Sequence, residues 1–269
     1  MLRVRFATYI IALLLVPGLL FQSQAQTSAK PAPAQQGLDP AQVADLVLAD
    51  RVLANEGLLD GYGHVSVRSS RNPNHFLLAR SVPAGTVTAA DILEYDLDAN
   101  PVEKDAPAGF IERYIHSEIY RAHPEVMAVV HTHAPDVIPF TVTTVPLRPM
   151  IHVAGFIPQS VKVFDNRKVA GMTDLLIRTP ELGRALAQAL GSDPMILLRG
   201  HGAVVVAPGL HIVVGRTYYM TIDARTELQA LALGGGNVTF LAPEEAAKSA
   251  DQDGFERAWT LWKSKVAEK

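Results

Sequence analysis

The chain contains no cysteine, and neither sign of charge predominates, since 24 basic residues stand against 27 acidic ones. Without cysteine, a protein has neither a disulfide framework nor a thiolate ligand for a metal. Any metal bound here must therefore be held by imidazoles and carboxylates, and the sequence offers nine histidines for that purpose. The formal net charge of −3 also argues against the basic surface that nucleic-acid-binding proteins need, so we expect no nucleic-acid partner.

The first segment, MLRVRFATYIIALLLVPGLLFQSQAQ, has the pattern of a secretory signal peptide. Arg3 and Arg5 give it a positive start, and an apolar run follows. Ser23-Gln24-Ala25 then resembles a cleavage site between small residues. The apolar run is shorter than the about 20 residues of a membrane span, and an uncleaved anchor is the alternative. We expect residues 1–25 to export the protein to a bacterial periplasm, with no membrane contact after cleavage.

The rest of the chain has the pattern of a tether followed by one folded domain. Residues 26–37, QTSAKPAPAQQG, are polar and contain prolines, which predicts a flexible linker. Residues 38–269 alternate strand-like and helix-like segments without internal repeats. This alternation predicts a single α/β domain whose mixed sheet is covered on both faces.

Start and stop signals predict the individual elements. Asp39 can cap a helix that begins at Pro40, and Gln42 would complete a capping box with it. Strands are predicted from GHVSVRSS, HFLLAR, VMAVVHTH and LRPMIHVAGFIP, and a hairpin from MILLRGHGAVVVA. Helices are predicted from GFIERYIHSEIYRAH, from TPELGRALAQALG, from Val213–Leu233, and from about Pro243 to the end of the chain.

Two histidines separated by one residue, His131 and His133, end the apolar run in AVVHTHAPD. Because side chains i and i+2 of a strand point the same way, both imidazoles would share a face. Two imidazoles so placed can bind one metal ion. The alternative is that one histidine packs in the core and the other is exposed.

A third histidine, His201, lies between Gly200 and Gly202 after another apolar run. Glycines allow a sharp turn and a close backbone approach, so His201 could complete the three protein ligands of an open catalytic site. It could also simply mark a turn. Glu112 lies in the helix before the histidine strand and is the candidate acid/base. A solvated carboxylate paired with Arg113 is the alternative for Glu112.

These motifs together resemble the class II aldolase/adducin family. Four segments occur in the order found there: GHVSVR, LLARSVPAGTVTAADI, ERYIHSEIYRAHPEVMAVVHTHAPD and ILLRGHGAVVVAPG. The resemblance covers roughly residues 38–241. It implies a three-layer α/β/α sandwich with a central mixed, largely antiparallel sheet. It also implies a homo-oligomer, commonly a tetramer.

By position, the resemblance implies that His131, His133 and His201 bind a divalent metal, zinc or alternatively manganese. Glu112 falls where the family has its catalytic acid/base. A small-molecule substrate, either a hydroxy acid or a hydroxy-carbonyl compound, would chelate the metal through adjacent oxygens. A C–C bond then breaks and the metal stabilises the resulting enolate. Decarboxylation releases carbon dioxide, whereas retro-aldol cleavage releases an aldehyde.

The sequence departs at two places from family members that act on sugar phosphates. His64, in GYGHVS, stands where they have an asparagine, and Phe110-Ile111 replace a pair of serines before Glu112. Groups that would hold a phosphate are therefore partly missing. The segments GHVSVR, ARS and HTHAPDVIPF are more similar to the branch containing decarboxylases of hydroxylated aromatic acids. We therefore expect decarboxylation, with aldolase or epimerase chemistry as the alternative.

Four further residues are candidate contacts. Arg80 and Ser81 could hold a substrate carboxylate, because arginine binds that group through two hydrogen bonds. A solvated surface loop is the alternative for both. His64 could contact the substrate or relay a proton. His116, one helical turn beyond Glu112, could support the site by holding a site residue in place.

Three aromatic residues are weaker candidates. His152 could contact the substrate, although a structural histidine is the alternative. Tyr218 and Tyr219 could reach a neighbouring subunit's site, with core or interface packing as the alternative. The non-enzymatic alternatives for the whole protein are a metal-binding protein without turnover and a scaffold like the adducin head domain. The presence of Glu112 beside three candidate ligands argues for an enzyme.

Overall fold

The structure is a computed structural model, and it describes residues 37–250 and 252–267. The predicted signal peptide, residues 1–25, and residues 26–36 of the predicted linker lie outside the described residues. Within the described part, none of the helices combines the length and the apolar composition that a membrane crossing needs.

A mixed sheet forms the centre of the fold. Its strands are β1 (His64–Arg68), β2 (His75–Ala79), β3 (Ile92–Asp96), β4 (Ala128–Thr132), β5 (Val163–Phe164), β6 (Met195–Leu198) and β7 (Gly202–Ala207). Their spatial order is β3-β2-β1-β4-β7-β6-β5. Only β5 and β6 run parallel within this sheet, and every other neighbouring pair is antiparallel. The expected mixed, largely antiparallel sheet is confirmed.

Helices cover both faces of this sheet. They are α1 (Pro40–Asn55), α2 (Arg113–Ala122), α3 (Ile138–Val142), α4 (Arg167–Ala170), α5 (Pro180–Leu190), α6 (Leu210–Gly234), α7 (Pro243–Ser249) and α8 (Glu256–Ala267). One layer is built from α1, α6 and α8, which contact one another, and another from α2 and α5. Side chains of β1 alternate between the two layers, as a strand requires. The three-layer α/β/α architecture is therefore confirmed.

Local signals account for the helix ends. The side chain of Asp39 accepts a hydrogen bond from the Ala41 amide at 3.0 Å, and Pro40 occupies the first turn of α1. The predicted capping box of Gln42 is wrong. Its amide nitrogen donates to the Arg68 carbonyl at 2.9 Å and its amide oxygen accepts from the Ser70 amide, so the side chain ties α1 to the sheet instead.

Two predicted elements are wrong. The segment LRPMIHVAGFIP forms no strand, only a short 3₁₀ turn at His152–Ala154. Its amides at Met150 and Ile151 donate to a carboxylate oxygen of Asp223 on α6, at 2.9 Å each, so they are not available to a neighbouring strand. The single C-terminal helix is in fact α7 and α8, separated by a 3₁₀ turn that ends at Phe255 with φ +62°.

Candidate metal centre and active site

The site begins in the middle of the sheet, at the end of β4. This strand lies between β1 and β7 and is buried throughout, because both of its faces are covered by helices. His131 is its last residue but one and has no exposed surface. His133 follows the strand directly and is half-buried. The i, i+2 spacing places both imidazoles on one face, as predicted.

The hairpin between β6 and β7 delivers the third histidine. Gly200 has φ +62°, a left-handed conformation that glycine adopts without strain. A side chain at Gly202 would collide with the carbonyl oxygen of Thr132, so glycine is required for β7 to approach β4 here. The two glycines thus direct His201 toward the end of β4.

The three Nε2 atoms converge. His133 Nε2 lies 3.0 Å from His131 Nε2 and 3.0 Å from His201 Nε2. His131 Nδ1 lies 3.1 Å from the Ala203 carbonyl oxygen, an acceptor, so Nδ1 carries the proton and Nε2 presents a lone pair. His133 Nδ1 faces a carboxylate oxygen of Asp60 at 3.7 Å, which favours the same tautomer. Lone pairs on nitrogens this close repel each other unless a proton or a cation lies between them.

Glu112 completes the cluster. It is the residue immediately before α2, not a residue within the helix as predicted, and it is 5% exposed. Oε1 accepts a hydrogen bond from the Ile177 amide at 2.8 Å. Oε2 lies 3.5 Å from the Nε2 atoms of both His131 and His201. The alternative of a solvated pair with Arg113 is wrong, because Arg113 donates to the carbonyls of residues 99 and 110.

The donor set fits a divalent metal ion. Three imidazole nitrogens and one carboxylate oxygen lie within 4.8 Å of one another, at Glu112, His131, His133 and His201. Tetrahedral ligands at the usual bond length of about 2.0–2.1 Å would lie about 3.3 Å apart, close to the distances observed. The second ring nitrogen of His131 is held by a carbonyl, as metal-binding histidines usually are. The assignment of the three histidines as metal ligands, and of Glu112 as the catalytic acid/base, stays a prediction.

The same closeness shifts the ionisation of the cluster. Burial raises the pKa of the Glu112 carboxyl, but His131, His201 and the Ile177 amide outweigh it and lower the pKa to about 2. Burial and the neighbouring imidazoles lower the pKa of His133 to about 4. Glu112 is therefore ionised and His133 neutral near pH 7, which are the states that bind metals.

His64 lies beside the cluster. It is directly opposite His131 in the β1–β4 pairing, and the two ring centroids are 5.2 Å apart. Its Nδ1 hydrogen-bonds to His116 Nε2 at 2.7 Å. The prediction for His116 rested on its spacing of one helical turn from Glu112. In the structure its hydrogen bond is to His64 instead. The predicted roles, of His64 as a substrate contact and of His116 as a support for the site, stay predictions.

The predicted carboxylate-binding residues lie at the edge of this region. Arg80 donates through Nε to Asp91 at 2.7 Å, and its side chain is 41% exposed. The Ser81 amide donates to the Ala108 carbonyl, which lies on the segment leading to Glu112. Among the residues that the structure describes, neither Arg80 nor Ser81 hydrogen-bonds to the cluster. Their substrate contacts stay predictions.

The weaker aromatic candidates line a separate cleft of about 680 Å³. Tyr218 and Tyr219 pack against Trp262, with ring centroids 4.9 and 6.2 Å from it, which fits the packing alternative. His152 is exposed at the rim of the same cleft. Within the chain itself, these residues are not part of the histidine cluster.

Sequence reasoning missed three polar residues around the site, Asp60, Ser66 and Tyr120. Asp60 has no visible signal beyond its turn sequence, and its contact with His133 exists only after folding. Ser66 and Tyr120 hydrogen-bond to each other at 2.8 Å in the core beneath His64. The signal for this pair was present, since Ser66 follows His64 by two residues on a strand and Tyr120 follows His116 by four on a helix.

The structure thus brings three histidines and one carboxylate together on a largely antiparallel α/β/α sandwich. Residues 44–228 match the family described as Class II Aldolase and Adducin N-terminal domain. The match spans more than half of the chain. The protein belongs to the class II aldolase/adducin family.

Two relatives are decarboxylases by name. The chain is 36% identical over 239 residues to the decarboxylase tropJ of Talaromyces stipitatus, covering 80% of this chain and 90% of that protein. It is 30% identical over 232 residues to a 3,4-dihydroxyphthalate decarboxylase of Arthrobacter keyseri, covering 82% and 91%. An aldolase II superfamily protein from Pseudomonas syringae has the same fold, with a TM-score of 0.71 at 22% identity, covering 86% of this chain and 95% of that one.

Proposed function

We propose that the protein is a divalent-metal-dependent carbon–carbon lyase that decarboxylates a hydroxylated aromatic carboxylic acid. One observation carries the proposal: three Nε2 atoms and a fixed carboxylate oxygen converge within 4.8 Å. The decarboxylase relatives support the choice of reaction, and 3,4-dihydroxyphthalate, named for one of them, indicates the substrate class.

The cofactor in this proposal is a zinc ion, with manganese as the alternative. Three imidazole nitrogens and one carboxylate oxygen are the donor types that zinc prefers. When bound, the ion would supply the positive charge that stabilises electrons left on the substrate as the C–C bond breaks.

Glu112 would move the proton in this reaction. Its Oε1 is held by the Ile177 amide, so Oε2 is presented to the cluster in a fixed position. As a carboxylate, it can accept the proton of the substrate's hydroxyl group and then deliver it to the ring carbon that bears the carboxyl group. That carbon gains a C–H bond while its bond to the carboxyl carbon breaks. Carbon dioxide leaves, and the product departs as a phenolate that takes a proton from water.

The surroundings of Glu112 favour an aromatic substrate over a phosphorylated one. The Phe110 ring lies 4.4 Å from the His64 ring, and Ile111 is 48% exposed although apolar. Both stand where phosphate-binding members have hydroxyl groups, and an aromatic acid can pack against them. Arg80 and Ser81 remain the proposed contacts for a substrate carboxylate, from the neighbouring loop.

Two alternatives remain. Retro-aldol cleavage or epimerisation of a hydroxy-ketone or sugar would use the same metal ligands and the same glutamate. A metal-binding scaffold without turnover would need the histidines but not Glu112. The burial of Glu112, with one of its oxygens aimed at the histidines, favours an enzyme.

The experiment is a substrate screen on the purified, metal-loaded protein. Dihydroxybenzoates and dihydroxyphthalates are compared with hydroxy-ketones and sugar phosphates, and carbon dioxide and aldehyde release are followed together. We expect carbon dioxide from an aromatic hydroxy acid. Glu112→Gln should keep its metal and lose about 10²- to 10⁴-fold in kcat.

The exposed Glu103→Gln serves as the matched control and should keep full activity. Aldehyde release alone would overturn decarboxylation in favour of the aldolase alternative. Full metal content with no turnover on either substrate class would favour the scaffold.

We further propose that the protein is exported to a bacterial periplasm and forms a homotetramer. The pattern of residues 1–25 supports export, and the family supports the oligomer. N-terminal sequencing of protein secreted by a bacterial host would test cleavage after Ala25. Light scattering would test the tetramer, which a monomeric mass would contradict.

A further inference from the structure

Four buried side chains form a continuous hydrogen-bonded chain next to the metal centre. His64 Nδ1 lies 2.7 Å from His116 Nε2, and His116 Nδ1 lies 2.6 Å from Ser66 Oγ. Ser66 Oγ lies 2.8 Å from the Tyr120 hydroxyl. None of the four residues is more than 2% exposed. The chain runs between β1 and α2, and its His64 end faces His131.

The direction of the protons in this chain is set at its tyrosine end. A phenol carries one proton, and a buried phenol that has an acceptor within reach donates that proton to it, because an unmade hydrogen bond is costly. Ser66 Oγ can accept it, whereas the Val129 backbone amide, the other hydrogen-bond neighbour of this hydroxyl, can only donate. The Tyr120 hydroxyl therefore donates to Ser66.

Each further bond then has one possible direction. Ser66 accepts from Tyr120, so its own proton goes to His116 Nδ1. With Nδ1 as the acceptor, a neutral His116 carries its proton on Nε2 and donates it to His64 Nδ1. His64 in turn carries its proton on Nε2. The reverse direction would leave the Tyr120 proton buried without an acceptor, which costs about 1–3 kcal/mol.

A charged His116 would break this order, but its surroundings oppose the charge. The ring has no exposed surface, and it forms no ion pair among the residues that the structure describes. An imidazolium buried without a carboxylate partner is strongly unfavourable. Burial lowers the pKa of His116 to about 3 for this reason.

The Nε2 atom of His64, on the side of the ring away from His116, is the atom available to a substrate. This Nε2 has no hydrogen-bond partner in the part of the chain that the structure describes, while Nδ1 is committed to His116. The ring is wedged between His131 and Phe110, at 5.2 and 4.4 Å between centroids. The imidazole ring therefore cannot flip without losing its hydrogen bond to His116.

We propose that Tyr120, Ser66 and His116 lock His64 as its Nε2–H tautomer, so that His64 donates a hydrogen bond to an anionic oxygen of the substrate. The locked proton also prevents His64 from acting as a fourth metal ligand. The substrate contact rests on the proposed function, and the tautomer does not. Tyr120, Ser66 and His116 are positioning residues in this arrangement.

Nitrogen NMR of the zinc-loaded protein, labelled with ¹⁵N at histidine, tests the tautomer directly. We expect Nε2–H signals for both His64 and His116, with His64 assigned by its loss in His64→Gln. An Nδ1–H tautomer at His64, or an Nε2 signal shifted by metal coordination, would overturn the proposal. This readout holds whether or not the protein is a decarboxylase.

Tyr120→Phe tests whether the Tyr120 hydroxyl sets the tautomer of His64. Without the terminal donor, we expect a second, Nδ1–H form of His64 and a kcat lowered about three- to tenfold, the effect of one weakened hydrogen bond, at unchanged KM and metal content. Tyr95→Phe is the matched control, because Tyr95 is buried beside the same ring of Phe76 and its hydroxyl has no partner in the described structure. It should leave the tautomer and kcat unchanged. A single His64 tautomer in Tyr120→Phe would contradict the assigned origin.

The substrate contact is tested by two replacements of His64. His64→Leu removes the donor and should lower kcat about 100-fold or more, whereas His64→Gln keeps an N–H donor and should stay within about tenfold of wild type. Both variants should retain full metal content. Equal losses in the two variants, or loss of zinc from either, would overturn the donor role. Absence of turnover in wild type would overturn the proposed function and leave the NMR result standing.

Discussion

Two buried regions of this protein hold carboxylates in opposite ways. At the candidate metal centre, Glu112 is 5% exposed, yet its pKa is lowered to about 2. On α6, Asp223 and Glu227 have no exposed surface, and burial raises their pKa values to about 6 and about 7. The residues adjacent to these carboxylates in the sequence do not predict this difference in pKa.

The difference lies in what faces each carboxylate. Glu112 Oε2 faces the Nε2 atoms of His131 and His201, and Oε1 accepts from the Ile177 amide; these partners keep the pKa of its carboxyl low. Asp223 and Glu227 accept hydrogen bonds from backbone amides of residues 148, 150 and 151, and each keeps one buried oxygen without a partner in the described structure. Burial alone therefore does not set the ionisation of a carboxyl group, and the groups that face its oxygens decide it.

The largest effect should come from His131→Ala, which removes the central imidazole. We expect metal affinity to fall by more than about 100-fold, because even partners of metal ligands contribute about 10- to 100-fold. The pKa of Glu112 should then rise toward that of Asp223, because His131 would no longer oppose the effect of burial. Metal analysis after dialysis against a chelator measures the change.

His75→Ala is the matched control, a strand histidine on β2 that pairs with Glu94 outside the cluster. It should keep full metal content. Equal metal content in His131→Ala and wild type would mean that the cluster is not the metal site.

An intermediate effect should come from Asp223→Asn combined with Glu227→Gln. In the folded protein both carboxyl groups hold a proton that the unfolded chain has already lost, because their pKa values are raised. Folding stability in wild type is therefore lost as pH rises from about 4 through about 7. The double variant lacks this loss. The difference in free energy of unfolding, variant minus wild type, should therefore be about 1–3 kcal/mol more favourable at pH 8 than at pH 5.

Urea denaturation at both pH values, with saturating metal, measures this difference. The exposed pair Glu103→Gln and Asp105→Asn is the control and should show the same pH dependence as wild type. A parallel pH dependence in the α6 double variant would show that these carboxyl groups are ionised when folded.

The smallest effect should come from Asp60→Asn. Asp60 is 62% exposed and lies 3.7 Å from His133 Nδ1, so solvent screens its interaction. Asparagine keeps the acceptor for the Tyr62 amide and loses only the charge. We expect metal affinity to fall by less than about tenfold, measured by competition with a chelator, with Asp98→Asn as the control. A loss as large as that of His131→Ala would make Asp60 a ligand.

Much of the fold was predictable because its signals are local. Asp39 caps α1 where the sequence predicts, and the β1–β2 and β6–β7 hairpins follow from alternation and turn residues. The strand expected from LRPMIHVAGFIP failed because Asp223, distant in sequence, takes up its amides. Apolar composition alone cannot reveal such a partner.

The sequence by itself determined which residue types were available for chemistry: no thiolates, an HxH pair on a strand, and a histidine between glycines. Only the tertiary structure decided that three of nine histidines share one point and that a fourth, His64, is held by a buried chain of hydrogen bonds. The physical reason is that periodicity fixes the face on which a side chain lies. The pairing of strands and the packing of helices fix what that face meets.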